Sequence, residues 1–205
     1  MASSAEKVEP ETPEADVPAT SYAISDRALA TVDALLQQDV DDPSLQRYKA
    51  TLLGAAATGD LGDVNDTRGV VVEEFKVIFE DGRQEISHRC DTASGLAHLE
   101  ATPFVMEEGA KYKFAIRFRV NHNIVSGLRF QNKVRKHLLS AKEDVVLGSY
   151  APQSTGYDFC FPRHEWSEAP SGLFYRGKYR AECKFVDSEG AEHLRFSYSF
   201  DIKKA

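Results

Sequence analysis

The chain reads as all-β: an immunoglobulin-like antiparallel β-sandwich preceded by a flexible helical-hairpin arm. Three observations predict this. Residues 111–120 (KYKFAIRFRV) alternate without a fault, with Phe114, Ile116, Phe118 and Val120 on one side and Ala115, Arg117 and Arg119 on the other. That is the period of two of a strand with one apolar and one wetted face. Residues 193–202 repeat the pattern, with Leu194, Phe196, Tyr198 and Phe200 opposed to Arg195, Ser197 and Ser199. From Arg68 onward such runs follow one another, separated by turn signals and free of helical repeats, and this spacing of short strands is that of a sandwich.

In chain order, residues 1–22 are rich in Glu, Pro, Ala, Ser and Thr and are expected to form a disordered acidic tail. Residues 23–54 are expected to form a helical hairpin. Ser25 is a candidate N-cap between the staple residues Ile24 and Leu29, and Ala28, Val32, Leu35 and Leu36 recur at helical spacing. A second helix has Asp42 as N-cap, Pro43 at its first position and Gly54 at its end, with Leu45, Tyr48, Leu52 and Leu53 as its apolar residues. Two short helices cannot stand alone, so their apolar stripe must dock on the chain itself or on a partner. Residues 55–66 read as a flexible linker, and 67–205 as the sandwich. The expected strands are 70–79, 84–90, 111–120, 128–134, 145–150, 178–186 and 193–202, with turns at Asp81-Gly82, Glu108-Gly109 and Ser188 to Gly190.

At Asn121 the alternation stops. An Asn-His-Asn run breaks the strand, Ile124 and Val125 follow, and Ser126-Gly127 turns the chain before Leu128 and Phe130 resume. The apolar residues here exceed what a thin sandwich face needs, which raises the question of a pocket. Aromatics can equally fill the ~10 Å gap between packed sheets.

The net charge of −7 is unevenly placed: residues 1–66 carry 13 acidic and 4 basic side chains, and residues 67–205 carry 19 acidic and 21 basic. An acidic arm on a near-neutral body argues against nucleic acid and for a partner with a basic patch. No apolar run approaches the ~18–20 residues of a membrane span. The acidic N-terminus does not resemble a signal peptide, and Cys90, Cys160 and Cys183 are odd in number and far apart, so a reduced, cytosolic protein is expected. The glycosylation pattern at Asn65 carries no weight there. His88 and Cys90 share a strand face and are geometrically capable of holding a metal, but no second pair accompanies them. Cys160 and Cys183 read as core residues. No nucleophile elbow, phosphate loop or paired-histidine zinc motif is present, so neither an enzyme nor a cofactor is expected. The basic run 132–137 (NKVRKH) reads as a solvated hairpin end, with acidic lipid headgroups or a protein as the other reading.

The run FRVNHNIVSGLRF (118–130) resembles the signature of the Rho GDP-dissociation inhibitors. LQRYKATLLG (45–54), VLGSYAP (146–152), GYDF (156–159), EAPSGLFYRGKY (168–179) and HLRFSYSFDIKK (193–204) follow in the family's order, over most of residues 42–204. The resemblance implies a cytosolic, non-enzymatic carrier of prenylated Rho- or Rac-like small GTPases. It would prefer the GDP-bound form, bind as a monomer in a 1:1 complex and touch the membrane surface only transiently.

The resemblance also assigns sites. In the family a geranylgeranyl chain lies between the sheets near one end, and the matching positions are Val77, Phe104, Ile124, Leu128, Phe196 and Tyr198. Phe196 and Tyr198 stand where the family commonly has Trp, which leaves the choice between farnesyl and geranylgeranyl open. The family's hairpin lies on the GTPase switch loops, an acidic residue before its second helix hydrogen-bonding a switch threonine. That position is Asp42, and Tyr48 and Leu53 match others in the hairpin. An acidic cluster before the last strand survives as Asp187 and Glu189, with Ser188 replacing an acid. Glu9, Glu11, Glu14 and Asp16 would complement the polybasic segment preceding a prenylated cysteine. Two rivals remain. A general lipid carrier resembling the delta-type phosphodiesterase subunit would lack the helical hairpin. An immunoglobulin-like adhesion module would want a secretory signal or tandem domains.

Overall fold

The computed structural model describes residues 31–38 and 41–205. Two five-stranded sheets face one another. One has the order β2-β1-β4-β7, with β8 added to β4, and the other β3-β10-β9-β5-β6. Their strands are β1 (Val70–Phe79), β2 (Ile86–Arg89), β3 (Phe104–Glu107), β4 (Lys111–Val120), β5 (Val125–Lys136), β6 (Leu139–Tyr150), β7 (Gln153–Phe161), β8 (Ser167–Glu168), β9 (Gly177–Val186) and β10 (Glu192–Lys203).

The alternating runs are strands because each turns its apolar set inward. On β4, Phe114, Ile116, Phe118 and Val120 are buried, and on β10 Phe196, Tyr198, Phe200 and Ile202. Phe75 sits at the middle of the core, its ring centroid 5.2 Å from Phe114, 5.5 Å from Phe196 and 5.4 Å from Tyr198. Burying each such ring stabilises the fold by about 1.5–3 kcal/mol. On the wetted face of β4, Arg119 pairs with Glu73 at 2.7 Å, and Arg117 bridges Glu73 and Asp158.

The sheets are mixed rather than wholly antiparallel. β3 runs parallel to β10, with Phe104 opposite Phe200 and Met106 opposite Ile202. The long stretch from β4 to β9 separates these two parallel strands, and helix α3 (Ala93–Ala101) carries the chain from β2 in one sheet to β3 in the other. Thr92 caps it, accepting from Gly95 N at 3.1 Å. Gly95 is required where it stands, because a Cβ there would come within 2.4 Å of the Arg89 carbonyl.

The arm comprises α1 (Val32–Gln37) and α2 (Pro43–Leu53). The expected cap Ser25 and its companions Ile24, Ala28 and Leu29 lie outside the described residues, as does the acidic tail. α1 is capped by Thr31, whose Oγ1 accepts from Ala34 N at 3.2 Å. Gln46 and Lys49 of α2 donate to the Gln38 carbonyl, which holds the helices together.

Residues 55–66 form more structure than their composition suggests. A 3-10 turn (Gly54–Thr58) is followed by a run stitched to the sandwich. Asp60 accepts from Ser154 N at 2.9 Å and Oγ at 2.6 Å, His122 N donates to the Leu61 carbonyl, and Asn121 Oδ1 accepts from Asp63 N at 3.0 Å. Asn121 is 1% exposed, and its amide also donates to the Arg68 carbonyl. The strand-breaking Asn-His-Asn is thus the anchor of the segment before the sandwich. Gly62 (φ +76°) is needed here too, since a Cβ would meet Asn121 Oδ1 at 2.5 Å.

Candidate functional site

Two apolar surfaces stand out. The first is a cleft of about 310 Å³ between the sheets, at the end where β4 begins and β10 finishes. Tyr112 and Phe114 of β4 form one wall, with Phe104, Met106, Tyr198, Phe200 and Val134 opposite. Ala141 and Glu143 of β6 stand at its mouth. Its floor carries a polar pair: the buried Asn132, whose Nδ2 donates to the Tyr198 hydroxyl at 3.2 Å and whose Oδ1 accepts from Cys183 Sγ at 3.4 Å. Burial pushes the Tyr112 hydroxyl up to about 12 and Tyr198 well above its ordinary value. Desolvation by the cleft walls also raises the Glu143 carboxyl, although its side chain is open to solvent on one side.

The second surface is α2. Asp42 caps it, and both backbone donors, Ser44 N at 2.8 Å and Leu45 N at 3.2 Å, go to the same oxygen, Oδ1. Oδ2 takes no part in the cap. Only the C-terminal end of the helix docks: Leu53 is 5% exposed and joins Val32 and Ala56 in a small cluster that includes Leu35, Leu36, Ile124 and Ala151. Leu45, Tyr48 and Leu52 remain 40–61% exposed. Among the described residues, this apolar part of the helix face stays open beside a docked end.

The six positions assigned to the isoprenoid are not gathered at one place. Phe104 and Tyr198 line the cleft. Val77, Leu128 and Phe196 are packed in the core at 1%, 0% and 6% exposure. Ile124 lies under the arm, in a seam of about 270 Å³ with Leu35, Leu52, Leu53 and Ala151. A side chain just after the break at Asn121 sits where the arm returns to the sandwich. Of the assigned switch-binding residues, Asp42 and Tyr48 face outward from the arm and Leu53 is its anchor. Asp187 is spent on its own turn, Oδ1 accepting from Glu189 N and Ala191 N at 2.9 Å and Oδ2 meeting His193 Nε2 at 2.9 Å. Glu189 is exposed beside it. That turn rests on Ser126 through Ser188 N, at the arm's end of the sandwich.

Cleft residues absent from the assignment are Met106, Tyr112, Val134 and Phe200. The alternation of 111–120 already places Tyr112 on the Phe114 face. Met106 needs β3, which alternates in burial but whose first three residues, Phe104, Val105 and Met106, are all apolar and so do not announce which of them face inward.

The remaining titratable groups give no sign of a reaction centre. Desolvation holds the Cys90 thiol up at about 12 and raises those of Cys160 and Cys183, so none is poised as a nucleophile. His88 is buried with neither ring nitrogen bonded, its ring 5.9 Å from that of His98. Among the described residues, no three His, Cys, Asp or Glu side chains are grouped as metal ligands, and no helix is long and apolar enough to cross a membrane.

Comparison with known proteins agrees with the resemblance in the sequence. A family model described as RHO protein GDP dissociation inhibitor matches residues 7–205. A putative rho GDP-dissociation inhibitor 1 of Dictyostelium discoideum is 41% identical over 174 residues, covering 84% of this chain and 86% of that protein. The Rho GDP-dissociation inhibitor of Schizosaccharomyces pombe is 35% identical, over 85% and 83% of the two chains. Rho GDP-dissociation inhibitor 1 of Homo sapiens is 33% identical, over 86% and 83%. With a family model over nearly the whole chain and relatives of this identity and coverage, the chain belongs to the Rho GDP-dissociation inhibitor family.

Proposed function

We propose that the chain is a two-site carrier: α2 and its Asp42 engage the switch region of a GDP-bound Rho-family GTPase, while the cleft between the sheets takes that GTPase's geranylgeranyl group. As a member of its family it is an inhibitor of GDP dissociation from Rho proteins and not an enzyme. Holding the switches rigid slows nucleotide release, and shielding the lipid keeps the GTPase in the cytosol as a 1:1 complex.

The observation that carries this reading is the coexistence of an open apolar cleft and an unpartnered apolar helix face. A magnitude explains why both are needed. Burying hydrocarbon contributes about 0.8 kcal/mol per CH₂, so a 20-carbon chain gains on the order of 10 kcal/mol or more in the cleft. The bilayer offers much the same, so the cleft alone cannot extract the lipid decisively. Contacts between the arm and the GTPase body supply the difference, and linking the sites makes the second engagement intramolecular. The two sites lie at opposite ends of β5: Ile124, beneath the arm, precedes it, and Val134 of the cleft is ten residues further on. That is about 33 Å of strand. The prenylated C-terminal segment of the GTPase must therefore span a comparable distance, about ten extended residues.

The test titrates a fluorescent geranylgeranylated peptide and, separately, an unprenylated GDP-bound Rho GTPase against the full chain. Each alone should bind measurably, and the prenylated GTPase far more tightly than either. A prenylated GTPase that binds no better than the peptide would favour the general lipid carrier instead.

A further inference from the structure

At the cleft end of the sandwich, the outer face of the β5-β9-β10 sheet carries a basic groove of about 550 Å³ that the two-site reading does not use. Lys133, Arg135, Lys136, Lys178 and Arg180 line it, against two carboxylates, Glu100 and Glu182. Glu182 is already engaged by Arg195 at 3.1 Å and Lys184 at 3.8 Å. Arginines elsewhere, such as Arg117, Arg129 and Arg176, each close on a carboxylate. Among the described residues Lys133, Arg135, Lys178 and Arg180 have no such partner. Arg135 stands directly opposite Arg180 across β5 and β9, and Lys133 directly opposite the equally unpaired Lys142 across β5 and β6. Lys133 also faces Glu182 across β5 and β9, and Lys178 faces Asp201 across β9 and β10, but neither pair closes to ion-pair distance. Like charges facing across a ladder weaken a sheet, so Arg135 and Arg180 above all leave this face with a use for anions from outside.

Beside the groove, apolar side chains project into solvent from two rigid supports. The β5-β6 turn presents Leu138, fully exposed, and Leu139; the loop 171–176 presents Leu173 and Phe174, the latter 88% exposed. Lys136 Nζ ties the two together, donating to the Phe174 carbonyl at 2.8 Å and to the Arg176 carbonyl. Arg176 in turn forks onto Glu108 at 2.6 and 2.9 Å, and Glu108 also accepts from Gly172 N. The loop backbone is thus held while its apolar side chains face outward.

We propose that this end of the sandwich docks on an anionic lipid bilayer, with Leu138, Leu139, Leu173 and Phe174 entering the interface and Lys133, Arg135, Lys178 and Arg180 on the headgroups. Protruding tips flanked by cations suit a bilayer better than a protein groove. Alternate residues of β5 face the two sites, Asn132 and Val134 the cleft and Lys133 and Arg135 the groove. Docking therefore sets the cleft mouth, bounded by Val134 and Ala141, against the surface from which a lipid would enter. This deepens the carrier reading and rests on it for its purpose, though its test does not.

The test is flotation of the full chain with vesicles of phosphatidylcholine alone or with about 30% phosphatidylserine, carrying no GTPase. The chain should partition onto the anionic vesicles and fall off with added salt. Each cation near such a surface is worth about fivefold, so Arg135→Glu with Arg180→Glu should weaken partitioning by about thirty-fold or more. Leu138→Asp with Phe174→Asp should weaken it several-fold, and all four side chains are exposed enough that folding is unaffected. Equal binding to both vesicles, or charge-reversed chain binding like wild type, overturns the proposal. Indifference to anionic vesicles, together with Arg135-dependent binding of a peptide of residues 1–22, assigns the groove to that acidic segment and also overturns it. Normal vesicle binding with no binding of prenylated GTPase would instead sink the carrier reading and leave the docking face standing.

Discussion

Replacing Asp42 separates two roles that one side chain holds. Oδ1 caps α2 by accepting from Ser44 N and Leu45 N. Oδ2 is left out of that cap. Loss of such a cap costs about 1 kcal/mol, or roughly fivefold in helix population, and an eleven-residue helix has little stability in reserve. A charge-assisted hydrogen bond to a GTPase would be worth about 1.5–3 kcal/mol, roughly tenfold to a hundredfold in affinity. Asp42→Ala removes both, so binding of unprenylated GDP-bound GTPase should fall by fiftyfold or more. Asp42→Ser keeps a capping oxygen and removes only the free carboxylate oxygen. Its helix content by circular dichroism should match wild type, while its affinity, measured calorimetrically, should still fall at least tenfold. Affinity restored to the wild-type level by serine would show that Asp42 matters only as a cap, and the contact to the GTPase would be refuted.

Three further outcomes are expected. Ala141→Trp, an exposed position at the cleft mouth, should weaken a geranylgeranylated peptide by about tenfold or more at unchanged melting temperature; unaltered affinity would place the isoprenoid elsewhere. Ile124→Asp should release the arm, raising hydrogen exchange over residues 32–53 and leaving affinity for the peptide intact; lost affinity with the arm still docked would return Ile124 to the lipid site. The third concerns pH. Burial, and secondarily His98, lowers the pKa of His88 below its ordinary value of 6.5. Below that value the unfolded chain binds the proton more readily, so stability is full above about pH 6.5 and declines as pH falls. Because His88 makes no hydrogen bond through its ring, His88→Leu should flatten the melting-temperature slope between pH 7 and 5.5. An identical slope in both proteins would acquit His88.

A strand with an uninterrupted period of two was legible to the residue: β4 begins and ends where its alternation does. β1 is legible from Phe75, Val77 and Phe79, while its first three valines are all buried ahead of a bulge between Val72 and Glu74. So was α2, whose cap, N-terminal proline and terminal glycine are local chemistry. What escaped depends on distant partners. β7 reads as a polar loop because only Phe159 and Phe161 turn inward, and it is a strand because β4 offers it an edge. α3 is short and contains a glycine whose place depends on the distant Arg89 carbonyl, and it is held by carrying the chain between the two sheets. The run 132–137 does lead to a hairpin turn, yet Lys136 within it is 7% exposed and anchors the neighbouring loop, a role no local pattern announces. The cleft between the sheets is the least legible feature. A cavity is a gap between sheets, and alternation says which residues face the gap but not where along the strands the packing fails to close. Hence Val77, Leu128 and Phe196 face inward as expected and still lie in packed core.

The central claim is that cleft and arm act together, and extraction from liposomes tests it most directly. The vesicles carry a geranylgeranylated, GDP-bound Rho GTPase, and the full chain is compared with Leu45→Asp/Leu52→Asp, which breaks the open face of α2 at exposed positions. Because residues 55–66 are stitched to the sandwich, point changes in the arm are preferable to a truncation there. The wild-type chain should move most of the GTPase into the soluble fraction, and the variant should bind the geranylgeranylated peptide normally yet leave the GTPase on the membrane. Equal extraction by both would contradict the two-site account.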